Sequence, residues 1–227
     1  YIHRDVKPSN FCTGFGEAEK QQCFLIDFGL ARKFKSEDGT HIPARSKCEF
    51  RGSPAYASVN AYTGDDLSRR DDLWSLLYVL VEAYTGELPW RQLINEKAPG
   101  YRDQVRDEKM RCRADPSGLF RSFMEQPASQ AVDMQLIDAF KKISEYLSTL
   151  AFESEPDYHL IMELLGLSDG AMEKTLDWAI PPRKLAIRDF VDDKHLSTAL
   201  RDAVDMLDAN AASTALGVRK MVLELFA

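Results

Sequence analysis

Four side chains near the start of the chain have the types and spacing that phosphoryl transfer requires. His3-Arg4-Asp5-x-Lys7-x-x-Asn10 is followed, seventeen residues after Asn10, by Asp27-Phe28-Gly29 at the end of an apolar run. Transfer of a phosphoryl group needs positioning and charge neutralisation more than covalent catalysis. Asp5 suits acceptance of the proton of an attacking hydroxyl, and Lys7 can reach the transferring phosphate. The side-chain carbonyl of Asn10 and the carboxylate of Asp27 suit a hard, oxygen-seeking ion such as Mg²⁺ bridging phosphates. Gly29 frees the backbone to turn just after that carboxylate. The blander reading makes Asp5 and Asn10 turn-forming loop residues and Asp27 a strand-end cap. Either segment alone is weak; both in this order carry the argument. His3 and Phe28 are expected to be packed side chains that align the loop, and Arg4 either meets an anion or forms an ordinary ion pair.

These residues must be held by neighbouring elements. Phe11-Cys12-Thr13 and Cys23-Phe24-Leu25-Ile26 read as the strands of a small hairpin joined by "GFGEAEKQQ". Gly14 and Gly16 do not make a phosphate loop, because the third glycine position falls on Glu19. Residues 32 to 70 read as irregular, with glycines and prolines interspersed. "RRDDLWSLLYVLVEAYTGELPW" then begins a helix apolar nearly all round, expected to be central, with Gly86 closing it and Pro89 preventing its continuation. Residues 95 to 130 are mostly polar and show no clear element. Leu136, Ile137, Phe140, Ile143, Leu147 and Leu150 recur at helical spacing, and "YHLIMELLG" and "AMEKTLDW" add short helical pieces. After Pro181-Pro182 an alanine-rich amphipathic stretch reads as a helical tail.

At 227 residues, 44% hydrophobic and 29% charged, the composition is that of a soluble globular protein with one sizeable core. A net charge of −7 gives no reason to expect nucleic acid or an anionic membrane as partner. Cys12, Cys23, Cys48 and Cys112 show no framework spacing, so a reduced, cytoplasmic location is expected. No signal peptide is evident, and the longest apolar stretch, Leu73 to Tyr84, suits a core helix rather than a membrane span.

The chain resembles the large lobe of a eukaryotic protein kinase, more narrowly the casein kinase one group and its tau-tubulin kinase branch. The residues behind this are "HRDVKPSNF", "DFGLAR", "FRGSPAYASVNA", "RRDDLWSLLYVLVE", "GELPW", "EPDY" and "LDW". "YASVNA", Tyr56 to Ala61, stands where most kinases carry an APE motif, and "DDLWSL" followed by "LPW" points to the tau-tubulin branch. The resemblance implies a mainly α fold with a small hairpin beside the catalytic loop. It implies a kinase large lobe over residues 1–180, a helical tail over 181–227, and no small β-rich lobe within the chain. It implies ATP and Mg²⁺ as cofactors, with Asp5, Lys7 and Ser53 catalytic, Lys7, Asn10 and Asp27 on the nucleotide, and Asn10 and Asp27 on the metal. Ser53 takes the place of the family's usual threonine, bridging the catalytic acid and lysine. Asp72 would hold the catalytic-loop backbone, besides being favourable to the helix dipole. Lys7 implies serine or threonine rather than tyrosine as acceptor.

One departure matters for substrates. Ala55 stands just before Tyr56, where the family commonly has an anion-binding arginine, which weakens the case for a pre-phosphorylated substrate. Arg32, Lys33, Lys35, Arg45, Lys47 and Arg51 keep the segment basic, either as a groove for an acidic or cytoskeletal protein or as a solvated loop. No Gly-rich loop or VAIK-like strand occurs, and the chain does not begin with Met. A kinase N-terminal lobe is therefore expected upstream, and residues 1–227 alone are expected to be inactive. Two readings follow: the large lobe of an active serine/threonine kinase, or a catalytically inactive truncated relative acting as an interaction or scaffold protein.

Overall fold

In a computed structural model of the chain, the residues described are 1–13, 23–125 and 132–167. The apolar run after Ser68 folds as α2, Arg69–Thr85, and its burial follows from composition: Leu73, Trp74, Leu76, Leu77, Tyr78, Val79, Leu80 and Val81 are all buried. A helix apolar on every side must be packed on every side. Ala83, expected on the second apolar face, is exposed. The helix ends where Gly86 takes the left-handed conformation at φ 83° and donates its N–H to the Glu82 carbonyl.

Around α2 sit α5 (Met134–Thr149), α3 (Tyr101–Ala114) and α6 (Tyr158–Leu164). The amphipathic spacing in α5 delivers Leu136, Ile137, Phe140, Ile143 and Leu147 into the shared core. Asp133 starts it by accepting the N–H groups of Gln135 and Leu136. Phe140 stacks on Phe120 at 6.1 Å, tying α5 to the turn that follows α3.

The hairpin has the expected strands, β1 (Phe11–Thr13) and β2 (Cys23–Leu25), antiparallel with Phe11 opposite Leu25. The fold is thus mostly helical with one two-stranded sheet among the described residues. No helix among them is long and apolar enough to cross a membrane. The expected helical pieces beyond residue 167, including the 181–227 tail, and the hairpin connector lie outside the described residues.

Two expectations need correction. The 32–70 stretch is not irregular throughout: Val59–Thr63 forms α1, preceded by Ser58 and closed by Gly64 at φ 79°. Within the polar 95–130 stretch, α3 runs for 14 residues and a short α4 covers Arg121–Glu125. The inward residues of α3 are Tyr101, Val105, Lys109 and Cys112, and a lysine at a core position breaks the apolar periodicity that would have announced the helix.

Leu77, 1% exposed at the centre of α2, reports on this packing. Leu77→Ala is expected to lower unfolding free energy by about 2–5 kcal/mol in urea titrations, whereas Ala83→Ser should change it by less than about 0.5 kcal/mol.

Candidate active site

The acidic residues around the start of α2 position the site, each with a different task. Asp72 Oδ2 accepts the His3 N–H at 2.6 Å, and Oδ1 accepts the Arg4 N–H at 2.8 Å. These bonds reach across 69 and 68 residues and hold Arg4 at φ 68°, a left-handed conformation unfavourable for a side chain with a Cβ. Asp71 accepts Ser58 Oγ, Asn60 Nδ2 and the Ser68 N–H, so α1 is bound to α2 through one buried carboxylate. Asp66, before the helix, accepts Arg32 Nη1 at 2.7 Å and Arg45 Nη2 at 2.8 Å, clamping two distant points of the 32–51 segment.

On this frame Lys7, Asn10 and Ser53 converge on Asp5. Asp5 is buried; Lys7 Nζ donates to its Oδ2 at 2.6 Å and Ser53 Oγ to its Oδ1 at 2.8 Å. Lys7 and Ser53 therefore meet through the carboxylate they share. Asn10 Nδ2 donates to the Asp5 carbonyl at 2.9 Å, and the Asn10 carbonyl accepts the Ile26 N–H at 2.8 Å. His3 Nε2 lies 3.0 Å from the Ile26 carbonyl, and Arg4 Nε donates to the Leu30 carbonyl at 2.7 Å. The two sequence segments are thus stitched together on either side of Asp27.

Asp27 is exposed, sits at φ 65°, and accepts the Gly29 N–H on Oδ1. A Cβ on Gly29 would stand 3.2 Å from that same oxygen. His3 packs edge-on against Phe28 at 5.0 Å, but Phe28 is 61% exposed, so the expected packing of Phe28 is a single edge contact. No cluster of three or more His, Cys, Asp or Glu suited to a metal occurs among the described residues. Magnesium held by one carboxylate, one amide oxygen and nucleotide phosphates needs no such cluster, so Asn10 and Asp27 fit that ion.

The electrostatics differ among the three positioning acids. Burial pushes Asp72 up to about 6, opposed by the His3 and Arg4 N–H groups. Burial also raises Asp71, whose hydroxyl, amide and backbone donors oppose it. Asp66 is driven well below the carboxylate range: burial alone would raise it, but the bonds from Arg45 and Arg32 together prevail. Arg4 is lowered by burial and by the nearby Arg45 and Arg32. It lines, with Arg45, Lys47 and Arg51, an open cleft of about 760 Å³.

Sequence reading singled out neither Asp66 nor Asp71, nor the cluster of Tyr56, Glu82 and Arg91. There the Tyr56 hydroxyl donates to Glu82, and Arg91 bonds both. Two adjacent acids beginning an apolar helix were the available signal; their partners, far away in sequence, were not.

Residues 1–165 match the protein kinase domain family. Over 184 residues the chain is 38% identical to a probable serine/threonine-protein kinase of Dictyostelium discoideum, an alignment covering 79% of this chain and 33% of that protein. The chain therefore spans about a third of the length of that curated relative.

The raised Asp72 carboxyl has a definite pH signature. Relative to an ordinary value of 3.8, its tighter proton binding in the folded state contributes stability that is fully present below 3.8 and lost as pH rises through about 6. Asp72→Asn removes this component. From about pH 4 to about pH 7, urea titrations should show relative stability shifting toward the variant by up to about 2–3 kcal/mol, then levelling. Separately, a Cβ at Gly52 would lie 2.8 Å from the Arg4 carbonyl, with φ at 93°. Gly52→Ala is expected to cost about 1–3 kcal/mol and to displace the catalytic loop, read as faster amide exchange at residues 3–5.

Proposed function

The chain belongs to the protein kinase domain family, and on that premise we propose that it carries the catalytic half of a serine/threonine kinase that moves the ATP γ-phosphate to protein hydroxyls. The supporting observation is the Asp5 carboxylate, met on one oxygen by Lys7 and on the other by Ser53. Asp5 orients the acceptor hydroxyl and takes its proton as the new P–O bond forms and the γ-phosphorus–oxygen bond to the departing ADP breaks. Ser53 fixes the rotamer of that carboxylate. Lys7, now on Asp5, swings to the transferring phosphate to offset developing charge. Asn10 and Asp27 hold the metal side, where magnesium supplies charge neutralisation when bound.

Within the family, the sequence from Tyr56 to Ala61 and the "LPW" at Leu88 to Trp90 favour the casein kinase one group and its tau-tubulin branch. The cleft is lined by Arg4, Arg45, Lys47 and Arg51 together with Glu49 and Asp66; Arg45 and Arg51 pair with those two acids, and Arg4 and Lys47 are the cations that suit an acidic substrate segment, cytoskeletal proteins among the candidates. The second wall of the nucleotide site is a further lobe seated on the edge that carries Tyr1, Phe24, Ile26 and Phe28, which are 74%, 42%, 41% and 61% exposed. That edge also supports the second reading, a non-catalytic scaffold whose partner covers it. We place the protein in the cytoplasm, on the thiols of Cys12, Cys48 and Cys112.

The two readings separate in one assay of magnesium-dependent phosphate transfer to casein by the full-length protein. Asp5→Asn is expected to lower kcat by about 10²–10⁴-fold with little change in the KM for ATP, and Asp27→Ala to abolish magnesium-dependent nucleotide binding. Residues 1–227 alone are expected to transfer negligible phosphate. Wild-type full-length protein that neither binds Mg-ATP nor transfers phosphate would leave the scaffold reading standing.

A further inference from the structure

The core contains a lysine without a carboxylate. Lys109, on α3, is 0% exposed. Its partners are two backbone carbonyls and three rings. Nζ donates to Pro54 O at 3.1 Å and to Ala57 O, and lies 4.9 Å from the ring centroids of Tyr78 and Trp90 and 5.1 Å from that of Tyr62. An ammonium has three donors; two reach carbonyls here and the rings surround the rest. Burial pulls its pKa well below the usual lysine range. A hydrophobic residue would fill this place at less cost if packing were the only requirement.

What the amine holds gives it a task. Tyr56 and Ala57 both donate their N–H groups to the Ser53 carbonyl, so residues 53–57 form a tight turn. The outward carbonyls of that turn are taken by core donors: Pro54 by Lys109 and the Tyr62 hydroxyl, Ala55 by the Trp90 indole, Ala57 by Lys109. Among the described residues, Lys109 alone grips both ends of the stretch after Ser53. The head of the turn is the Ser53 hydroxyl, 2.8 Å from Asp5 Oδ1. We propose that Lys109 is a positioning residue for phosphoryl transfer: by holding the Pro54 and Ala57 carbonyls it sets the Ser53 hydroxyl, and through it the Asp5 carboxylate, in working geometry. This rests on the kinase reading above. It adds a residue on α3, remote in sequence from either catalytic segment, that acts on the base through the turn at residues 53–57.

A double-mutant cycle tests it in the full-length protein, using Lys109→Met, Ser53→Ala and the pair. A residue acting through Ser53 predicts non-additivity. Each single change is expected to lower kcat by about 10- to 100-fold with the KM for ATP within about twofold, and the pair to fall little below the worse single variant. Losses that multiply, or wild-type kcat in Lys109→Met, overturn the proposal. Amide exchange at Tyr56 and Ala57 is the second readout and does not depend on activity. It should be slow in the wild type, comparable to the middle of α2, and at least about tenfold faster in Lys109→Met while α2 stays protected. Exchange in the wild type as fast as in the exposed loop at residues 37–39 overturns the proposal even if Lys109→Met and the milder Lys109→Gln both fail to fold. Slow wild-type exchange in a protein with no phosphate transfer would uphold the clamp and sink the kinase reading instead.

Discussion

The bond pair between Asp72 and the backbone of His3 and Arg4 is the constraint on which the site depends. The loop from His3 to Asp5 does not keep its shape by its own preferences. Arg4 occupies a left-handed conformation that costs on the order of 1 kcal/mol or more for a side-chain-bearing residue. Two charge-assisted hydrogen bonds to one carboxylate offset that cost and fix the direction in which the chain leaves for Asp5. The anchor is stiff because α2 is buried along most of its length. Precision in the loop is borrowed from that buried helix.

The acids around the helix start show how partner charge, not residue type, sets the behaviour of a carboxyl. Asp66 faces two guanidinium groups and stays ionised far into acid. Asp71 accepts from a hydroxyl, an amide and a backbone N–H, with Arg70 Nε farther off at 3.8 Å, and Asp72 accepts from two backbone N–H groups. Neutral donors compensate burial less completely, so both are raised. The clamp on the 32–51 segment at Asp66 and the loop anchor at Asp72 therefore respond to acid over separate ranges, although only five residues lie between them.

Legibility followed the physics of each element. The hairpin strands, α2 and α5 carry their periodicity in neighbouring residues, and their positions could be read. The short α1 was hidden among glycines and prolines, although Ser58 and Gly64 bracket it as start and stop signals. In α3 the obstacle was Lys109, whose charge masks a core face that Tyr101, Val105 and Cys112 otherwise mark. Asp5, Lys7, Asn10 and Asp27 stood out because their spacing is local. Asp66 did not, since its meaning lies in Arg32 and Arg45, 34 and 21 residues away. Contacts made across folds of the chain leave no periodic trace for a sequence reading to find.

The Trp90 indole has a consequence of its own. It is 0% exposed, packs edge-on against Tyr78 at 4.8 Å, and spends its only N–H on the Ala55 carbonyl. A fluorophore so placed is bonded directly to the turn whose Ser53 hydroxyl meets Asp5. Any movement of that turn strips the indole of its hydrogen bond in a dry environment, altering its emission without a label or a mutation. The molecule thus carries an optical gauge of its 53–57 turn, read by stopped-flow spectroscopy against the emission of Trp74 and Trp178.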